Sequence, residues 1–337
     1  MSKTLVGIEI TEASVQVVEI SKGDEPTILA AGEVALPPGV AKDSEIIDPQ
    51  AVALAIRQLW QQCKVRSRHA VLGIGSRRVF VRDHTIPKLD RKHIRAALPF
   101  QVDGVLPLPV DQAVLDFFPL HEDDEHFHGL LVAAVSDNVE ALVATLRDAK
   151  VTASSVDLIP LGLSRVATRL TAPDETVAMV YVGYHTTYVV IHSHGIPDLV
   201  RIISIDLTSG ETAAPSAAFD EPAELADLLR DDTAPTTIQQ TVPQTLDTSA
   251  VADLVSRIRS TLEFYIAKPD ALPIDRVLLS GGGVLQSETR QTLAAALGLP
   301  SEVVTVGDVA ASKIELENDL PIVLVSTLGL ALGGGRR

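Results

Sequence analysis

The 337 residues hold a single cysteine, Cys63, which excludes an intrachain disulfide and a thiolate-built metal cluster and suits a reducing compartment. Positive charge is short as well. Only 28 Lys and Arg stand against 44 Asp and Glu, a formal net charge of −16, so the phosphate-neutralising surface on which nucleic-acid affinity rests is not expected. The longest charge-free apolar run, Pro321 to Gly335, falls below the roughly 20 residues that span a bilayer. Any membrane contact is therefore expected to be peripheral. The opening Met-Ser-Lys-Thr runs straight into Leu5-Val6-Gly7-Ile8-Glu9, without the apolar stretch and small-residue cleavage site of a secretory signal, and a cytoplasmic location is expected. There is no Walker A lysine motif, no His-Glu-x-x-His and no Gly-x-Ser-x-Gly elbow, which leaves the standard hydrolase readings unsupported.

Apolar residues, by contrast, are plentiful. At 46% hydrophobic the chain buries a large core, and its length exceeds what one compact domain usually holds, so two lobes are expected. The scarce positive charge is concentrated. Lys64, Arg66, Arg68, Arg77, Arg78, Arg82, Lys88, Arg91, Lys92 and Arg95 are opposed there only by Asp83 and Asp90. Such a stretch fits either a solvated face balanced by acidic neighbours or a docking surface for an acidic partner or anionic lipid.

Hydrophobic periodicity reads as α/β. Leu5 to Ile20 gives an apolar strand, a polar turn at Thr11-Glu12-Ala13-Ser14 and a second strand, a hairpin whose plan recurs at Val177–Val182, Gly183–Thr187 and Tyr188–Ile191. Repetition at this separation points to two related lobes. Val52, Ala55, Ile56, Leu59 and Trp60 have helical spacing, while Val71–Ile74 and Val79–Val81 read as strands. Asp137 with Glu140 suggests a capping box before a helix whose stripe is Val139, Leu142, Val143 and Leu146. From Gly210 to Ala250 the composition turns to Thr, Ala, Pro and Asp, predicting a loosely ordered surface segment. A helix carrying Leu254, Ile258, Leu262 and Tyr265 follows, then a buried strand Arg276–Leu279 running into Ser280-Gly281-Gly282-Gly283.

Three glycines after a buried strand let backbone approach a ligand where a Cβ would obstruct it, though a tight turn uses glycine as readily. The two hairpin tips carry small hydroxylated residues, Ser14 in one and Thr186 and Thr187 in the other. Facing tips of this kind can hold a phosphate chain through backbone N–H and hydroxyl donors. The acidic and imidazole groups of His121–His128 lie between two strands and read as a solvated turn. His192-Ser193-His194-Gly195 reads as a hairpin turn.

These three loops, in this order, resemble the first phosphate, second phosphate and adenosine loops of the actin, sugar kinase and heat-shock-protein ATPase superfamily. Within it the chain is similar to the PilM family of type IV pilus assembly. The likeness is carried by Val6–Ile10 with Ser14–Glu19, by Ile94–Phe100 running into Leu106-Pro107-Leu108-Pro109 and Leu115-Asp116-Phe117, by Leu131–Val135 with Val156-Asp157-Leu158, and by Leu278–Gly283. The resemblance implies a two-lobed actin-like fold. Its N-terminal lobe would span 1–175, with a small additional subdomain at about 40–150, and its C-terminal lobe 176–337, with a weakly ordered insert at about 210–250. It also implies a scaffold at the inner face of the cell membrane. That scaffold would bind the cytosolic N-terminal tail of a membrane-spanning PilN-like protein through a groove involving the small subdomain, and would meet other pilus assembly components.

The resemblance further implies ATP or ADP with Mg²⁺ as cofactor. Glu9, Thr11, Glu12, Ala13, Ser14, Gly183, His185, Thr186, Thr187, Gly281, Gly282 and Gly283 would line the nucleotide, with Glu9 reaching the metal through water. The departures from the family pattern bear on chemistry. Where the family's first loop reads Asp-Ile-Gly-Ser-Ser-Ser, this chain has Glu9-Ile10-Thr11-Glu12-Ala13-Ser14. Glu12 places like charge by the phosphates, at a cost on the order of a few kcal/mol, and Thr11 adds a branched Cβ. In the second loop Tyr181-Val182-Gly183 replaces Asp-Ile-Gly and removes the acid that positions metal or attacking water. No catalytic residue is assigned. The rival expectations are a working ATPase or small-molecule kinase of the superfamily and a filament-forming protein like the division protein FtsA.

Overall fold

The alternation at the start of the chain becomes β1 (Thr4–Ile10) and β2 (Ser14–Ser21), paired antiparallel from Thr4 opposite Ser21 to Ile10 opposite Val15. The computed structural model describes residues 4–42, 45–76, 78–102, 104–208 and 246–334. With β3 (Thr27–Ala35), β6 (His69–Ile74), β10 (Thr152–Leu158) and β16 (Ala311–Ser312), the hairpin forms a six-stranded sheet of order β10-β6-β1-β2-β3-β16. A short ribbon, β4 (Ala41–Lys42) and β5 (Glu45–Ile46), lies beyond β3.

The second hairpin follows the same plan. β11 (Val177–Val182) and β12 (Thr186–Ser193) pair antiparallel, and β13 (Ile196–Ser204), β14 (Arg276–Ser280) and β15 (Ser301–Val303) complete a five-stranded sheet of order β13-β12-β11-β14-β15. In both sheets the first strand of the hairpin has its partner on one side and a parallel strand, β6 or β14, on the other. A central strand covered on both faces needs an unbroken apolar run, and every residue of β11 is buried.

Helices α1 (Pro49–Gln62) and α3 (Ser136–Asp148) pack together, and Leu142 and Leu146 join Val52, Ile56, Leu59 and Trp60 in one core beside the six-stranded sheet. Asp48 caps α1 by accepting from Gln50 and Ala51 N–H. The capping box expected at Asp137 and Glu140 does not form. Strand β9 (His126–Val135) runs directly into α3, Val135 takes the cap position without a side-chain bond, and Asp137 sits in the first turn, where a carboxylate complements the helix dipole.

On the far side, α4 (Ile159–Leu170) and α9 (Val325–Gly333) pack on each other. Helix α9 also lies on β1 and β2, and α4 on β12. Being enclosed, α9 is apolar all round, which accounts for the long apolar run of the sequence. The remaining helices are α5 (Thr248–Ile266) and α6 (Ser287–Leu297), which cover the five-stranded sheet, and two single turns, α7 (Val306–Val309) and α8 (Leu320–Val323). No helix among the described residues is long and apolar enough to cross a membrane.

A third sheet, β7 (Val79–Pro87), β9 and β8 (Ala113–Glu122) in that order, carries α2 (Arg91–Gln101) on a core of its own, with Ile86, Ile94, Leu98, Phe117, Phe127 and Leu131. It lies inside the stretch of about 40–150 expected to hold a small subdomain; α1, β6 and α3 of that stretch belong to the six-stranded sheet and its helices. Two further expectations are adjusted. His192 is not part of a turn: it is a buried β12 residue whose Nδ1 lies 2.9 Å from Ser164 Oγ, and only His194 and Gly195 form the bend. Residues 209–245, most of the segment expected to be loosely ordered, lie outside the described residues. Its last residues begin α5, capped by Asp247.

Candidate functional site

Register brings the polar residues of the first sheet into a row. Glu9 of β1 lies opposite Gln16 of β2, which lies opposite Glu33 of β3. The matching row of the second sheet is Tyr181 opposite Tyr188. These rows and the two hairpin tips face a narrow cleft of about 70 Å³. That is room for a handful of waters and far below the roughly 300–1,000 Å³ of an ordinary ligand pocket.

Nine of the twelve expected site residues line it: Glu9, Thr11, Glu12, Ala13, Ser14, Gly183, His185, Thr186 and Gly282. Thr187, Gly281 and Gly283 do not. Thr187 is buried within β12 opposite Val182. Gly281, at φ +93°, turns the chain where a Cβ would stand 2.5 Å from Val182 O, and a Cβ on Gly283 would meet the Val182 side chain at 2.4 Å. Both glycines serve a close approach of β14 to β11.

Several lining residues escaped the sequence reading: Gln16, Glu33, Tyr184, Tyr188, Leu285, Asp319 and Val323. Counting register across the hairpins would have found Gln16, Glu33 and Tyr188. Nothing local marks Asp319 or Val323, which arrive from the C-terminal segment.

Glu9 is buried, and its Oε2 accepts from Ser326 Oγ at 2.7 Å and Thr327 Oγ1 at 3.4 Å. Burial, only partly offset by these hydroxyls, pushes its carboxyl up to about 7. The Tyr181 hydroxyl donates to Val323 O at 2.8 Å and the Tyr188 hydroxyl to Gly75 O at 3.0 Å. Burial first, then the Glu9 charge, raises both phenols well above their ordinary range. Tyr184 is pushed up to about 12, by burial and then by Asp319 and Glu33. His185 Nδ1 stands 3.4 Å from Glu12 Oε2 and 3.2 Å from Asp206 Oδ1, joining the two hairpin tips.

The first loop is closed on itself. Thr11 N–H donates to Ser14 O at 2.8 Å, while Thr11 Oγ1 accepts from Ser14 N–H at 2.9 Å and Ala13 N–H at 3.3 Å. In the second loop Gly183 N–H donates to Thr186 O at 3.1 Å.

A second concavity, of about 610 Å³, runs between two sheet edges. One side is β8, the edge of the small sheet, with Val114, Asp116 and Phe118; the other is β10, the edge of the large one, with Ser155 and Asp157. Val114 is 46% exposed there. Ion pairs flank the groove, Arg95–Asp116 at 2.7 Å and Arg165–Asp157 at 2.6 Å.

Three residues of the basic stretch stand in ion pairs. Arg78 pairs with Glu45, Lys88 with Glu122 at 3.3 Å and Arg95 with Asp116, while Arg82 stacks 4.7 Å from the centre of the Phe80 ring. At the β8–β9 turn Asp123 accepts from Glu125 and His126 N–H and lies 2.9 Å from His128 Nε2. Among the described residues no group of His, Cys, Asp and Glu is placed to hold a metal ion.

A profile of the type IV pilus assembly protein PilM family matches residues 7–197. Among solved structures, one described as a PilM-PilN type IV pilus biogenesis complex is 23% identical over 99% of both chains, with a TM-score of 0.77. The ethanolamine utilization protein EutJ from Carboxydothermus hydrogenoformans is 15% identical over 98% of this chain and 90% of that one, with a TM-score of 0.52. A Bacteroides thetaiotaomicron protein described as having an actin-like ATPase fold is 7% identical over 98% and 96%, with a TM-score of 0.51. The architecture shared with them is the actin-like ATPase fold, a fold associated with nucleotide binding.

Proposed function

Because the chain belongs to the PilM family of type IV pilus assembly proteins, we propose that it is a scaffold holding the cytosolic tail of a PilN-like membrane protein at the inner face of the cell membrane. The observation that carries this reading is the groove between β8 and β10. Both walls are sheet edges, and an edge strand presents unpaired N–H and C=O groups that an extended peptide can join. The side chains suit such a guest. Val114 and Phe118 offer apolar contact, and Arg95 and Asp116, both more than half exposed, offer charge at the rim.

The cleft supports the absence of turnover. Phosphoryl transfer is positioning plus charge neutralisation, and at the second loop a buried phenol bonded to Val323 O stands where the superfamily resemblance expects a carboxylate. Glu9, the acid of the first loop, has its Oε2 turned to the Ser326 and Thr327 hydroxyls, engaged within the protein rather than presented to hydrated Mg²⁺.

A synthetic peptide covering the cytosolic N-terminus of the PilN-like protein, followed by fluorescence anisotropy, tests the groove. Saturable binding is expected, with Val114→Lys weakening it about tenfold or more while the melting curve stays in place. A wild-type chain that does not bind, or a Val114→Lys chain that binds equally well, would overturn the assignment.

A further inference from the structure

We infer that this chain keeps its lobes closed without nucleotide, its own side chains standing where phosphates and base would sit, so that partner recognition is independent of ATP. The biological sense of this rests on the scaffold reading above; the structural case does not.

A phosphate loop works because its backbone N–H groups are left free to point at the ligand. Here three of the four amides from Thr11 to Ser14 are already spent, two of them on the Thr11 hydroxyl and one on Ser14 O. Thr11 Oγ1 does for the loop what a phosphate oxygen would do. It accepts from the amides and lies 3.0 Å from Ser14 Oγ, taking up that hydroxyl as well.

Charge points the same way. The ionisable side chains lining the cleft include Glu9, Glu12, Glu33 and Asp319 with His185, and no Lys or Arg is among the described lining residues. A polyphosphate entering there would meet the acids Glu12 and Asp319 in a water-poor space, where like-charge repulsion is poorly screened.

Space is the third constraint. A Cβ on Gly282 would fall 2.8 Å from the Tyr184 ring, so the opening left by that glycine is used by the protein's own aromatic ring. With Tyr181 and Tyr188 tilted against each other at 6.1 Å between centroids, three phenols narrow the cleft from the side of the second hairpin. The closed state also has intrinsic ties. Tyr188 donates across the lobes to Gly75 O, and His185 reaches Glu12.

ATP or ADP with Mg²⁺ therefore does not fit this cleft, and three measurements on the full chain test that conclusion. The first is isothermal titration with ATP and with ADP, with and without Mg²⁺, to about 1 mM, where a site of about 100 µM would be roughly nine-tenths filled. No saturable heat and no shift in melting temperature are expected. The second is the tail-peptide anisotropy repeated with and without ATP and Mg²⁺, expected to give the same affinity within about twofold.

The third is NMR hydrogen exchange without nucleotide. The Ala13 and Ser14 amides should be protected, and Thr11→Gly should speed their exchange about tenfold or more. Saturable nucleotide binding, nucleotide-dependent peptide affinity or freely exchanging loop amides in the wild type would each overturn the inference. Failure of the peptide to bind under either condition would overturn the scaffold reading instead, leaving the nucleotide and exchange measurements to decide this one.

Discussion

Two buried titratable residues pull stability in opposite directions. Glu9 titrates at about 7 in the folded chain against 4.5 ordinarily, through burial. The folded state holds the extra proton, so the contribution is complete below pH 4.5 and is lost as pH rises through 7, about 3 kcal/mol in all. His192, buried in β12, is pushed down to about 4 from 6.5 by the same cause. There the unfolded state takes the proton first, so stability is lost as pH falls from 6.5 through 4. The opposing trends overlap and flatten the wild-type profile. Glu9→Gln keeps an acceptor for Ser326 and removes one trend: urea unfolding across pH 5 to 8 should show a more stable protein at the alkaline end and a steeper loss toward acid. Tyr181→Phe deletes the hydroxyl donated to Val323 O and should cost about 1 kcal/mol, read from the urea midpoint.

At the scale of elements, the two central hairpins were legible in sequence, because alternation and a polar tip are local signals and both strands pair in register as the pattern required. The α3 cap was misread. A carboxylate caps a helix only where the preceding chain turns to present it, and β9 enters α3 without a turn. His192 was misread for a related reason: a polar run ending in Gly195 looks like a loop, yet Ser164 Oγ and Thr168 Oγ1 supply partners that let His192 lie inside the sheet. The α4–α9 contact left no periodic signal. It depends on Gly162 and Gly329, where a Cβ on Gly329 would lie 2.3 Å from Gly162 O. Gly329→Ala should force the helices apart and cost about 1–3 kcal/mol, lowering the urea midpoint at unchanged slope.

On the scale of the whole molecule, the C-terminal segment ties the lobes together. β16 pairs with β3 of the six-stranded sheet, Val323 O receives Tyr181 from the five-stranded one, and α9 lies on β1, β2 and α4. A chain ending before Val325 loses Leu328, Leu330 and Ala331 from the main core and should show no cooperative thermal transition by circular dichroism. The Lys268–Asp83 pair, 2.9 Å across the surface between the small sheet and the end of α5, is a weaker tie. Lys268→Ala should change stability by less than about 1 kcal/mol, because both side chains are solvated.

The loops of the cleft, and the substitutions that set them apart from the family pattern, were readable from residues alone, since hairpin tips and a strand entering glycines are formed by neighbours in the chain. Thr11, Glu12 and Tyr181 already argued there against hydrolysis. Their partners were not readable. That Tyr184 lies over Gly282, that Glu9 meets Ser326 and that two sheet edges face one groove all depend on residues far apart in sequence. Long-range packing sets those contacts, and periodicity carries no record of which distant surface a residue will meet.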